Sequence, residues 1–210
     1  MQINIDKKTG VFLAVIAVLI AVIVGQAMNN DRIDMGMDHG SNHSNHSMGM
    51  NQNNKSNSGF TGADVMFLQM MIPHHQQAID ISNLALKTTK DSEIKSLAQT
   101  IIKAQSAEIV QMKTWLKDAN ASTEVPHAMG HGMGGMLDDA ELSALQAATG
   151  KAFDILWLKG MIVHHDGAIH MTEMIRDADK TEIKAFGENI VKDQSAQIEQ
   201  MKAILKRINA

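Results

Sequence analysis

The 210-residue chain contains no cysteine. Without thiols it forms no disulfide, no thiolate zinc site and no iron–sulfur cluster, and it offers no cysteine nucleophile. A basic excess is also missing, since Lys and Arg number 19 against 23 Asp and Glu, a formal charge of −4. Phosphate-backbone binding needs such an excess, so no nucleic-acid partner is expected. Aromatic residues are scarce, with 5 Phe, 2 Trp and 0 Tyr, whereas Met reaches 17 and His 10. Thioether and imidazole donors are thus plentiful in a chain poor in other soft or reactive groups, a metal-binding composition before any motif is read. The length fits one ordinary domain with appendages, or at most two small ones.

One uninterrupted apolar run, Val11 to Val24, follows Lys7 and Lys8. Its length suits the apolar region of a signal peptide and falls short of the ~20 residues usual for a membrane span. Extension through Gly10 and Met28 brings it near the lower limit for a tilted span, and Gly25 with Ala27 gives a small-x-small cleavage pattern. Residues 1–28 are therefore either a signal peptide or a membrane anchor. Both place the remaining chain on the periplasmic or extracellular side, because the lysines stay cytoplasmic.

Residues 29–60 are rich in Asn, Ser, Gly, Met and His and carry few aliphatic side chains, so no core is expected there. This tether strings out Met35, Met37, His39, His43, His46, Met48 and Met50. A plain solvated linker has no use for exposed thioethers, which gain nothing from water and oxidise readily, so metal capture is the expected role.

From Thr61 the pattern turns helical. Thr61 and Asp64 form a capping-box-like start, and apolar residues at 67, 68, 71, 72, 78, 79 and 81 continue the period. A second helix is expected over 91–118, with Ile94, Leu97, Ile101, Gln105, Met112 and Trp115 along one stripe. The stretch VPHAMGHGMGGM, residues 125–136, is a Pro/Gly loop that also carries His127, Met129, His131, Met133 and Met136. Asp138 with Glu141 opens a short helix ending near Gly150, and two more helices are expected over about 151–178 and 180–208. No segment sustains period-two alternation, so no strand is expected.

Residues 64–81 align with 154–171 at an offset of 90, matching Met71 with Met161, His74 with His164 and His75 with His165. Residues 94–117 align with 183–206 at an offset of 89, pairing Gln105-Ser106-Ala107 with Gln194-Ser195-Ala196 and Met112 with Met201. Each repeat reads as a helical hairpin with an apolar stripe. Two such hairpins bury their stripes most simply as an all-α four-helix bundle spanning residues 61–210.

At about 100° per residue, Met71 lies at the centre of its apolar face with His74 and His75 on its flanks, and Met161, His164 and His165 repeat the arrangement. Gln105, Met112, Gln194 and Met201 fall near the middle of the partner stripes. A buried glutamine needs a hydrogen-bond partner, and a facing imidazole is one, so Gln105 and Gln194 are expected to orient the histidines. Isolated core histidines and methionines usually serve packing. Recurrence of the same His-His pair, with Met three and four residues earlier in both halves, favours metal. His170 and Met174 form a further i,i+4 pair, found only in the second half. His170 lies about 180° from Met161 and belongs on the outer face, as a weak site or mere surface.

The runs MMIPHHQQAID and GMIVHHDGAIHMTEM, with Leu142, Leu145, Gly150, Phe153 and Asp154 ahead of the second, resemble the domain-of-unknown-function 305 family over about residues 61–208. The resemblance implies a ferritin-like helical bundle that binds copper outside the cytoplasm, through Met71, His74, His75, Met161, His164 and His165, with a role in copper tolerance or buffering. Two positions depart from symmetry: Gln77 stands where Gly167 fits the family pattern, and Asp80 is the counterpart of His170.

The donor chemistry points the same way. Thioether plus imidazole, without cysteine or a carboxylate cluster, suits copper, with Cu(I) favoured and Cu(II) as the alternative state. Zn(II) or Ni(II) at the His-His pairs stays open. The Glu-x-x-His motif of di-iron bundles occurs only as Glu124 to His127, in the Pro/Gly loop. No nucleophile–base pair and no phosphate loop is present, so binding is expected rather than catalysis. The expected function is an extracytoplasmic copper buffer whose partners are copper ions, another copper-handling protein and, if the N-terminal segment is retained, the membrane. The alternatives are a copper-dependent oxidoreductase and a membrane-tethered structural or sensory bundle.

A flexible tether cannot hold a rigid high-affinity geometry without a large entropy cost, so its sites should be weak and fast-exchanging while concentrating ions near the bundle. Deletion of residues 35–50 is expected to lower total copper capacity and slow loading at limiting copper, with the affinity of the tightest sites unchanged. Stopped-flow loading of intact and truncated chains checks this, and equal rates with equal capacity would reduce the tether to a spacer.

Overall fold

The computed structural model describes residues 59–125 and 133–209. The segment 1–28, the tether to residue 58, and His127, Met129 and His131 of the loop lie outside the described residues. The described chain is helical: α1 (Gly62–Thr88), α2 (Ser92–Asp118), α3 (Asp139–Ala147), α4 (Gly150–Met171), a short 3-10 helix (Thr172–Ile175) and α5 (Thr181–Asn209). Among the described residues no helix is long and apolar enough to cross a membrane.

Local chemistry sets the ends of these helices. Thr61 and Asp64 form a reciprocal capping box, as do Asp138 and Glu141, each satisfying two otherwise free backbone donors. Asp91 caps α2 by accepting from the amides of Glu93 and Ile94. At the other end of α2, Asn120 takes a left-handed φ of 53°. Its amide donates to Lys117 O and that of Ala121 to Leu116 O, the paired bonds that close a helix with Asn or Gly. The α-helix expected over 151–178 stops earlier, at Met171. There the Thr172 hydroxyl donates to Ile169 O at 2.7 Å and the chain tightens into the 3-10 turn.

Helix α1 packs chiefly on α2 and α4 on α5, and α1 and α4 meet each other. The buried side chains separate into two apolar clusters along the helices. One holds Ala78, Ile81 and Ala85 of α1, Ile94, Leu97 and Ile101 of α2, Phe153, Trp157 and Met161 of α4, and Ile198, Met201 and Ile204 of α5. The other holds Phe67, Leu68 and Met71 of α1, Ile109, Met112 and Leu116 of α2, Ala168 and Met171 of α4, and Ile183, Phe186 and Ile190 of α5. On every long helix the buried residues between the two sets are polar: His74 and His75, Gln105, His164 and His165, and Gln194 and Gln197.

The segment 133–137 lies on a bare face of α4. A Cβ at Gly160 would sit 3.1 Å from the Leu137 side chain, and one at Gly167 only 2.0 Å from Gly134 O. Gln77 of α1 latches the same segment from the other side, donating to Leu137 O at 2.9 Å and accepting from Leu137 N at 2.8 Å.

Gly167→Ala is expected to push this segment off α4 or strain it, at a cost of about 1–3 kcal/mol and several degrees of Tm. Gly62→Ala meets nothing within 4 Å of the added Cβ and should be neutral or slightly stabilising. Thermal denaturation of the two variants checks the contrast.

Candidate functional site

His74, His75, His164 and His165 are all fully buried. The rings of His74 and His164 touch across the α1–α4 contact, with centroids 3.8 Å apart and planes tilted by 44°. His75 and His165 flank them, with centroids 6.5 Å from His74 and 6.3 Å from His164 respectively. The two pairs therefore form one continuous imidazole layer.

Three of the rings have the same nitrogen engaged. His74 Nε2 donates to Gly134 O at 3.1 Å, His75 Nε2 to Glu108 Oε2 at 2.7 Å, and His165 Nε2 to Gln197 Oε1 at 2.6 Å. Every acceptor is an oxygen, which assigns the proton of the neutral ring to Nε2 and leaves a lone pair on Nδ1. Those three Nδ1 atoms are buried without a partner, and His164 has no partner at either nitrogen. Buried polar atoms are normally satisfied, so five orphaned imidazole nitrogens in one layer call for a ligand. A lone pair that faces no hydrogen is the form in which imidazole binds metal, with the other nitrogen oriented by a backbone or carboxylate oxygen.

Met71, Met112, Met161 and Met201 are also fully buried. Met71 and Met112 belong to the apolar cluster on one side of the layer, Met161 and Met201 to that on the other. Gln105 and Gln194 are buried in the layer but do not bond an imidazole: Gln105 Oε1 and both side-chain polar atoms of Gln194 lack partners. The orienting residues are Glu108 and Gln197, one turn further along the same helices. These two correspond at the same offset of 89, immediately after the matched Gln-Ser-Ala triplets. The sequence match ends where the residues differ, so identity alone passed over them, whereas the i+3 spacing from Gln105 and Gln194 was the available signal. The Gly134 carbonyl had no side-chain signal at all.

The loop donors contribute less. Met133 is half-buried against the cluster that holds Met71 and Met112, and Met136 is half-buried. His170 stands on the outer face, as the helical angle requires, with its side chain 68% exposed. Together with Asp166, Met171 and Met174 it borders an open surface groove of about 450 Å³. Among the described residues no three His, Asp or Glu side chains converge as a metal-holding group.

Burial, followed by the charge of neighbouring His75, pushes His74 down to about 3. Burial likewise takes His165 to about 4 against the opposing pull of its bond to Gln197, and holds His164 well below the ordinary imidazole range with help from His74. Exposed His170 is raised by its bond to the Asp166 carbonyl and by the Asp166 carboxylate. The unfolded chain therefore takes up protons at His74, His164 and His165 before the folded one does. Metal-free stability should be flat well above pH 6.5 and fall from about pH 6.5 toward pH 4, by at most about 1.4 kcal/mol per pH unit for each such histidine. Urea midpoints between pH 7 and 5 check this. Replacing His74 and His165 by Gln, which keeps a donor near Nε2, should flatten the profile.

Residues 64–205 match the family described as domain of unknown function DUF305. The fold is similar to the crystal structure of a DUF305 protein from Streptomyces coelicolor, at 30% identity and TM-score 0.65, covering 70% of this chain and 93% of that one. A DUF305 fragment from Deinococcus radiodurans is similar at 31% identity and TM-score 0.65, covering 70% and 97%. CopM in its Cu(I)-bound form is 34% identical with TM-score 0.58, covering 69% of this chain and 96% of CopM. That protein has also been seen in Cu(II)-bound, Ag-bound and apo forms. An uncharacterized protein of Acanthamoeba polyphaga mimivirus is 40% identical over 62 residues, so that match spans 41% of the curated relative's length and 30% of this chain. The family match runs from the first turn of α1 to near the end of α5 and takes in the whole imidazole layer: the chain belongs to the DUF305 family.

Proposed function

We propose that the chain is an extracytoplasmic copper-binding protein that sequesters or buffers copper, principally as Cu(I), and that it holds its cargo rather than turning it over. The observation that carries this reading is the set of five unpartnered imidazole nitrogens in a buried layer bounded by four buried methionines. Thioether sulfur with neutral imidazole suits Cu(I), and Ag(I), also soft, should compete. No three His, Asp or Glu side chains converge among the described residues, and methionine sulfur completes the shell in this reading. One half-site comprises Met71, His74, His75 and Met112, the other Met161, His164, His165 and Met201. Likeness to CopM, with its Cu(I), Cu(II) and Ag forms, supports copper as the cargo.

In the same reading the four long helices are a ferritin-like four-helix bundle of two duplicated hairpins. The tether Met35–Met50 and the loop donors His127, Met129, His131, Met133 and Met136 collect ions for it. The N-terminal segment exports or anchors the protein, and another copper-handling protein delivers or receives the metal.

Replacing Met71, Met112, Met161 and Met201 together by Leu keeps core volume nearly constant, so the helices should remain. The affinity of the tightest Cu(I) sites should fall by about 100-fold or more, measured by anaerobic chelator competition on the full chain, with circular dichroism as the check on folding. Unchanged affinity at unchanged stoichiometry would overturn the methionine assignment.

A further inference from the structure

The two outer rings of the imidazole layer are held in like geometry by partners of unlike charge. His75 donates to Glu108 and His165 to Gln197, at 2.7 and 2.6 Å from corresponding positions of α2 and α5. One acceptor is a carboxylate, the other a neutral amide. Glu108 has limited access to water, its side chain being 18% exposed, and Gln197 is buried. Neither contact is a freely solvated surface pair, so the difference is only partly screened.

A second acid lies near Glu108. Asp193 of α5 is held above the usual carboxylate range by burial and then by the repulsion of Glu108, which places the two acids within reach of each other. The residue that corresponds to Asp193 at the offset of 89 is Ala104, which carries no charge. Asp193 stands one turn from Gln197 on α5, and the charge of Glu108 reaches His165 as well, so what separates the halves is the direct bond from His75 to a carboxylate.

We propose that Glu108 makes the two half-sites unequal, so that the His75 half fills first and binds more tightly while the His165 half fills second and releases first. A carboxylate that accepts from Nε2 increases electron density at Nδ1 and so strengthens it as a donor; an amide does this far less. The carboxylate also offsets the positive charge that a bound cation brings into a poorly solvated layer. The effect is larger for an ion in the His75 half, whose ring bonds the carboxylate directly, than in the His165 half, whose ring bonds a neutral amide. The result is a graded pair of sites, able to buffer over a wider range of free ion than two equal ones. This rests on the metal-binding reading above.

The test is an Ag(I) titration of the full chain, followed through the ring ¹⁵N signals of each buried histidine. Silver is redox-silent and diamagnetic, so the order of filling is read directly. The His75 signals should respond at lower Ag(I) than those of His165, with affinities about 10–100-fold apart. Glu108→Gln should bring the two responses together, and Gln197→Glu should do so from the other side. The double exchange, which conserves total charge, should reverse the order. An order and spacing unchanged in Glu108→Gln and in the double exchange would overturn the proposal. If no buried-histidine signal responds in any variant, the metal-binding reading fails instead.

Discussion

The arrangement depends on lone pairs that are buried and left without a hydrogen. Four imidazoles in the interior of a helical protein must each place two nitrogens, and the structure satisfies one nitrogen on three rings and none on the fourth. Each unsatisfied buried polar atom costs on the order of 1–3 kcal/mol. Several such costs in one layer are tolerable because apolar clusters on both sides supply the cohesion and confine the polar groups to a narrow slab. Burial also keeps His74, His164 and His165 neutral, since charge there is opposed by neighbouring groups as well as by desolvation. Packing thus holds these three rings in the protonation state that the proposed binding of a soft cation would require.

Much of this was legible in the sequence, and what was not has physical reasons. Helical periodicity, the capping pairs at Thr61 and Asp138 and the burial of Met71, Met112, Met161 and Met201 follow from spacing alone. The separation of the core into two clusters does not, because periodicity gives the face of a helix and says nothing about which heights on that face group together. Nor did spacing distinguish Gln105 from Glu108 as the partner of His75. Both lie on one side of α2, and the choice is made by the height at which α1 meets it. The early end of α4 also escaped: hydrophobicity continues through Met174 and Ile175, whereas the Thr172 hydroxyl and the packing of Ile175 against Gly187 tighten the chain there.

The departure at Gln77 and Gly167 has a structural cause. Gln77 and Gly167 are counterparts in the alignment, and both serve the segment 133–137: the glutamine grips Leu137 through two hydrogen bonds while the glycine leaves room for the Gly134 peptide. That peptide then presents its carbonyl to His74. A substitution that looks like loss of symmetry therefore brings a backbone acceptor to one central ring. His164, the ring that corresponds to it, has no equivalent acceptor and retains both nitrogens unpartnered. Asymmetry in a connecting loop is transmitted in this way to asymmetry among the donors, just as Glu108 and Gln197 distinguish the two outer rings.

These unmet groups also couple any cation to the fold. In the unfolded chain the imidazoles and amides of the layer are all hydrated, so the cost of burying them falls on the folded state alone. A ligand that satisfies them only when they are gathered together binds the folded form preferentially and raises its stability in proportion to occupancy. The apolar clusters above and below the layer set how much can be gained. They fix the ring positions before the ion arrives, so little ordering remains to be done at binding. In the proposed reading, the same polar layer that weakens the metal-free protein makes binding selective: a cation that accepts neutral nitrogen and thioether sulfur at these positions would recover the cost, whereas a hard, strongly hydrated ion would give up more water than the layer returns.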